Sequence, residues 1–357
     1  MDPSGHDAEE ATTLENFLDA LEHMADELAA RKTEDINFKV SIRDDVPLAG
    51  ILGKLVNQIS IDWETHVRVE NERRAQRSLE LARAYEALQA KNDEIQRDLD
   101  AARRVQLQLL PSQLETSRCE EIDFAGHFES KDKVGGDIYD FFRVGLHAWA
   151  IVIADVSGHG IPPALITMFL KAAFRTHARW GLDADAICRD VNSDLCAVTG
   201  DSGLYATAFF GIVDLENGML RYVNCGHPPV FVYRQNEDRV FRLEERGMIL
   251  GALEEVSLTQ SFISLERKDV LLATTDGLIE ARNFQGEMYG QDRLLQSFHA
   301  ACRSLGAEAA TMDIVCSLIA ELAVYSQASP VDDDVTIAAF RYLGRDEVGR
   351  SGIGKRP

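Results

Sequence analysis

Apolar residues recur at helical spacing over Leu14, Phe17, Leu18, Leu21, Ala25 and Leu28, which predicts a helix near the start of the chain. In INFKVSI (36–42) every second position is apolar, so an extended segment is expected there. Leu48, Ile51, Leu52, Leu55, Val56 and Ile59 predict a second amphipathic helix. From about Glu64 to Leu110 there is no proline or glycine. Leu81, Leu88, Ile95, Ala102 and Leu109 are spaced as heptad d positions, with Tyr85, Asn92, Leu99 and Gln106 at a. Pro111 ends that helix. Beyond it the period shortens. IDFAGHF (122–128), IYDFFRV (138–144) and HAWAIVIADV (147–156) read as strands, and 161–180 and 183–198 as helices. Glu216-Asn217-Gly218 marks a hairpin between two apolar runs. PPVFVYR, RVFRL, LTQSFISL and DVLLATT add strands, helices follow near 291–301 and 307–324, and DVTIAAF (334–340) closes the pattern. Strands, helices and strands again, with several hairpins, predict an α+β layered domain with antiparallel sheets.

Helix, extended connector and helix over residues 1–62 resemble a HAMP signalling module; a plain helical hairpin has the same pattern. Asn92 at an a position is the kind of residue that fixes register in a parallel two-stranded coil. A homodimer through this segment is expected; the alternative is one long helix packed on its own domain. Upstream, Asn71, Arg74 and Ser78 occupy the seam, so pairing there is weak. The expected division is 1–62, a helical regulatory region; 63–111, a linker and dimerisation helix; 112–342, the α+β domain; and 343–357, a disordered tail.

Charge narrows the field. The formal net charge is −22, which argues against a nucleic-acid surface. Residues 1–30 hold acids and no Lys or Arg, a solvated face in the simplest reading. The cysteines form no CxxC pair, so free thiols, a reducing cytoplasm and no zinc site are expected. No apolar stretch approaches the roughly 18–20 residues of a membrane span.

The candidate chemistry lies at strand ends. Asp137 follows two glycines in VGGDIYDFF, Asp155 ends IVIAD, Asp276 ends LLATTD, and Asp332, Asp333 and Asp334 precede the last strand. A carboxylate at the end of a buried strand is costly unless it is solvated, capping or paired with a cation. A single one is usually a cap. Several in one domain, with no matching basic motif and no Cys or His cluster, point to a hard cation, Mg²⁺ or Mn²⁺. DVSGHG (155–160) lacks the lysine of a phosphate-binding P-loop, and its glycines suit close backbone approach instead. His159 could give a proton to a leaving oxygen or only pack its loop; His227 in NCGHPP reads as structural. Ser157 has no visible base and is not a nucleophile candidate.

VGGDIYDFF, IADVSGHG, YVNCGHPPVFVYR, GMILG, LLATTDGLIEARN, YG and DDDVTIAAF occur in the order and rough spacing of the SpoIIE/RsbU branch of the metal-dependent PPM serine/threonine phosphatases. AARRVQLQLLP (101–111) is similar to the segment preceding that domain in RsbU-like proteins. The resemblance covers about residues 100–342. It implies a PPM-type β-sandwich flanked by helices, holding two Mn²⁺ or Mg²⁺ ions. Asp155 would bridge them, the Val156 carbonyl would ligate the first, and Asp137 would support it. Asp276 and Asp333 would hold the second. Asp334, the other aspartate of the motif, is the further metal-ligand candidate, and Asp332 is an extra acid. Gly247, Leu250 and Gly251 fall in a family loop and serve backbone geometry.

The implied reaction is hydrolysis of phosphoserine or phosphothreonine by a metal-bridging hydroxide, with no phosphoenzyme. The implied substrate is a phosphorylated STAS-domain anti-anti-sigma factor, as in bacterial partner switching, with an activating signal or partner acting at the N-terminal region. The competing readings are a catalytically inactive phosphatase-fold scaffold and a hydrolase of small phosphoesters.

Overall fold

A computed structural model describes residues 47–111, 119–179, 181–243, 247–327 and 332–344. The expected first helix and the extended segment 36–42 lie outside these residues. The chain divides into two units, Met1–Asp93 and Glu94–Pro357, so the second unit begins inside the segment assigned above to the linker.

The helix expected at 48–59 and the one expected from 64 are a single element, α1 (Pro47–Leu109). Proline suits its first turn, and no helix breaker stands between Ile59 and Glu64 to divide it. Leu81, Tyr85, Leu88 and Ile95 of the heptad seam are exposed in the single chain.

The second unit carries two five-stranded antiparallel sheets. One has the order β1 (Ile122–Glu129), β10 (Val335–Tyr342), β9 (Val270–Thr274), β6 (Val230–Arg234), β7 (Arg239–Leu243). The other runs β2 (Asp137–Arg143), β3 (Ala148–Val156), β4 (Ala206–Asp214), β5 (Met219–Cys225), β8 (Ser261–Ser264). Every strand pair is antiparallel, as the hairpin signals predict. The sheets pack face to face through Phe141, Ile151, Ile153, Phe209, Leu271, Ala273, Ala338 and Phe340. A second core lies between the outer face of the β2–β8 sheet and helices α2 (Ile161–His177) and α3 (Ala184–Thr199). A third lies between the other sheet and α5 (Gln291–Leu305) and α6 (Thr311–Tyr325). A one-turn helix, α4 (Asp276–Glu280), follows β9 and has no sequence signal of its own.

Side chains alternate along a strand. Ile153 and Phe209 face the inter-sheet core, so Asp155 and Thr207, two positions on, face the same way at the end of the sheet. Asp137 pairs with Asp155, and Asp155 with Thr207. On the opposing sheet the same parity carries Ala338 to Thr336 and Ala273 to Thr275. The apolar core of the sandwich therefore ends in a polar layer.

Candidate active site

That layer brings the expected aspartates together. Asp137 is 3% exposed, and its Oδ2 accepts hydrogen bonds from the hydroxyls of Thr275 (2.7 Å) and Thr336 (2.6 Å). Through Asp137 the two threonines tie the sheets to each other, and they also pair with one another within their own sheet. The Thr336 amide donates to Thr275 Oγ1 (3.1 Å) and the Thr275 amide to the Thr336 carbonyl (3.1 Å). Burial, and then the charge of Asp155, hold the Asp137 carboxyl well above the usual carboxylate range.

Asp155 is the most connected of the group. Burial first, then Asp276 and Asp333, push its pKa up to about 7, and it hydrogen-bonds the Asp137 carboxyl. Two carboxyls can share a hydrogen bond only when one carries a proton. Asp276, in the first turn of α4, is raised by burial and then by Asp333 and Glu280. The strongest influences on Asp137, Asp155 and Asp276 are burial, carboxylates, hydroxyls and backbone amides, with no basic side chain among them. Acids gathered this closely repel one another until protons or cations compensate them.

Asp334, the adjacent acid of the final motif, has a different position. Its Oδ1 accepts from the Lys131 amide (2.8 Å) and its Oδ2 from the Gly136 amide (2.6 Å). Each oxygen accepts one hydrogen bond from the 131–136 loop, so Asp334 clasps that loop. Asp333 is exposed beside it, with Oδ1 accepting from the Asp334 amide (2.8 Å).

Close backbone approach explains two glycines. A Cβ on Gly136 would lie 2.8 Å from the Val156 carbonyl oxygen, and one on Gly277 would lie 2.0 Å from the Asp334 carbonyl oxygen. The Val156 amide donates to the Gly136 carbonyl (2.9 Å), which binds the DVSGHG strand end to the VGGD loop. Ser157 exchanges hydrogen bonds with the Tyr205 backbone at 2.9 and 3.1 Å and is structural. His159 is 80% exposed at its side chain, with Nδ1 3.5 Å from the Asp132 carboxylate. The GMILG loop joins the sheet at Leu250, which exchanges two 2.8 Å backbone hydrogen bonds with Ala206.

The donor set fits hard divalent cations: carboxylates and a backbone carbonyl, all oxygen. Among the described residues no three His, Cys, Asp or Glu side chains close into a compact cage.

Sequence reasoning missed Gln106, at the end of α1 and 3% exposed. Its amide brackets Gly135: Nε2 donates to the Gly135 carbonyl (2.7 Å), and Oε1 accepts from the Gly135 amide (3.1 Å). Asp140 was missed as well. It is fully buried and held by Arg175 Nε (2.6 Å), Arg175 Nη2 (2.9 Å) and Lys171 Nζ (2.7 Å) from α2.

The family model for Stage II sporulation protein E (SpoIIE) matches residues 146–343. The chain belongs to the SpoIIE family. Protein IcfG of Synechocystis sp. is 29% identical over 271 residues, 68% of this chain and 41% of that protein. Phosphoserine phosphatase RsbU of Bacillus subtilis is 26% identical over 202 residues, 57% of this chain and 59% of that protein. The chain spans about half the length of the curated relatives it matches. The SiaA-PP2C domain of Pseudomonas aeruginosa superposes with a TM-score of 0.63 at 23% identity, over 71% of this chain and 99% of that one. The PP2C phosphatase domain of SpoIIE from Bacillus subtilis, solved with a fragment of its regulatory domain, gives 0.54 at 20% identity, covering 62% of each. These likenesses establish the PP2C-type fold.

Proposed function

We propose that this SpoIIE-family chain is a Mn²⁺- or Mg²⁺-dependent protein serine/threonine phosphatase. The observation that carries this reading is the row of Asp137, Asp155, Asp276 and Asp333 at the end of the sandwich, whose buried members repel one another in the absence of a compensating cation. Asp155 feels Asp137 on one side and Asp276 and Asp333 on the other, which supports it as the ligand shared between two ions. Asp137 and the Val156 carbonyl would complete one site, and Asp276 and Asp333 the other. Two divalent ions supply an activated water and offset the charge of the phosphoryl group. The chain's own work is positional. Thr275 and Thr336 fix the Asp137 rotamer, Asp334 holds the loop carrying it, and Gly136 lets the Val156 carbonyl approach. No cysteine or serine nucleophile is required. His159 is exposed at the rim and free to reach a leaving oxygen, which keeps an acid role open to test.

The substrate we favour is a phosphorylated regulatory protein of the STAS class. The long helix supports this: Leu81, Tyr85, Leu88 and Ile95 form an apolar seam suited to a second copy of the chain, and the same helix ends in the Gln106 bracket on Gly135. A signal read at residues 1–62 would thus reach the loop that leads into Asp137. No described helix is long and apolar enough to cross a membrane, and all six cysteines are free, which supports a cytoplasmic reading. The test is phosphate release from a phosphoserine peptide and from nucleotides by the full chain with Mn²⁺. Peptide turnover with inert nucleotides is expected; the reverse preference would assign the site to small phosphoesters.

A further inference from the structure

His227 is not among the residues assigned above, yet it lies against the carboxylate layer. It is 1% exposed. Its backbone is fixed by Asn224, whose Oδ1 accepts from the His227 amide (2.7 Å) and whose Nδ2 donates to the His227 carbonyl (3.1 Å). The ring Nδ1 stands 3.1 Å from Thr207 Oγ1. Thr207 is the cross-strand partner of Asp155. Directly opposed residues hold their Cβ atoms about 4.5–5.5 Å apart on one face, so a rotation about χ1 would bring the Thr207 hydroxyl to Asp155.

The direction of the Thr207–His227 hydrogen bond decides what the hydroxyl does. Burial depresses the His227 pKa to about 3, so the ring is neutral and carries one N–H. Nε2 is enclosed. Its polar neighbour is the backbone of Thr274, at a geometry short of a full hydrogen bond. A carbonyl can only accept, whereas a threonine hydroxyl can donate or accept. The N–H therefore belongs on Nε2, Nδ1 is a bare acceptor, and Thr207 donates to it. Thr275 and Thr336 do the opposite, each donating to Asp137. The layer thus has threonines of two polarities: two donors on the aspartate that is held still, and one turned away from the aspartate that must stay open.

We propose that His227 is a positioning residue: by accepting the Thr207 hydroxyl hydrogen bond it keeps Thr207 from hydrogen-bonding Asp155 and leaves that side of the Asp155 carboxylate open to a divalent cation. This rests on the metal-site reading above. Without the histidine acceptor, Thr207 turns to Asp155 and competes with a cation for one of its oxygens.

The test is a Mn²⁺ titration of the full chain by calorimetry for wild type, Thr207→Val, His227→Leu and the double variant. Thr207→Val is expected to bind within about twofold of wild type and His227→Leu about tenfold more weakly, the usual scale for a lost outer-shell partner. Removing the hydroxyl in the double variant is expected to restore affinity to within about threefold of wild type, a coupling that a packing role would not produce. A double variant as weak as His227→Leu, or a tenfold loss in Thr207→Val alone, overturns the proposal. If His227→Leu does not fold, the Thr207→Val arm decides by the same criterion. A folded wild type that takes up no Mn²⁺ would refute the metal-site reading itself, and the proposal with it.

Discussion

At the scale of single residues the proposed chemistry turns on Asp155, because every other acid of the row acts on it. Asp155→Asn is expected to lower turnover by at least about a hundredfold while the fold persists, since a shared ligand is lost and a charge repulsion is relieved. Melting temperature and activity of the same sample check both halves. The pH dependence follows from the raised carboxyl. An acid whose folded pKa lies above its unfolded value keeps its proton longer in the native state, so its stabilisation is present at low pH and is lost as pH rises through the folded value. The metal-free protein is therefore expected to lose melting temperature as pH rises from the ordinary value of 3.8 to the folded value of about 7, and Mn²⁺ is expected to reverse that loss. A melting temperature that rises with pH in EDTA would contradict the assignment. The aspartates themselves were legible in the sequence because each stands at one end of an apolar strand. The hold of Asp334 on the 131–136 loop was not legible, because its two backbone partners, Lys131 and Gly136, lie about two hundred residues away.

Two elements hold the site's framework. Strand β2 is pinned to α2 by the buried Asp140 between Lys171 and Arg175, with the Arg175 guanidinium 5.0 Å from the Phe142 ring centroid. Asp140→Asn leaves two cations without their counter-charge. Breaking a buried pair this way costs about 3–5 kcal/mol, to be read from urea unfolding. The end of α1 holds Gly135 through Gln106. Gln106→Met would leave a buried amide and carbonyl unpaired at a cost of about 1–3 kcal/mol. It is expected to lower turnover and to speed hydrogen exchange across 131–136; unchanged exchange there would show that the bracket does not hold the loop. Strand and helix identities were legible because the hydrophobic period changes cleanly at Pro111. These two contacts were not, because Gln106 and Gly135, or Asp140 and Arg175, are joined by tertiary packing and by no local pattern. The continuity of α1 was readable in principle, since nothing between Ile59 and Glu64 breaks a helix.

For the whole molecule, a PP2C-type sandwich follows a long helix whose seam residues Leu81, Tyr85, Leu88 and Ile95 are exposed in the single chain. Asn92 stands in that seam at an a position. Asn92→Leu is expected to tighten or re-register the paired coil and so to change activity; unchanged mass by light scattering together with unchanged activity would count against regulation through a dimer. The central claim, however, is metal-dependent phosphoryl chemistry at the aspartate row. It is tested most directly by hydrolysis of p-nitrophenyl phosphate by the full chain, in Mn²⁺ and in EDTA, beside Asp155→Asn. The account predicts turnover in Mn²⁺ that EDTA and Asp155→Asn each abolish; turnover that survives either would contradict it.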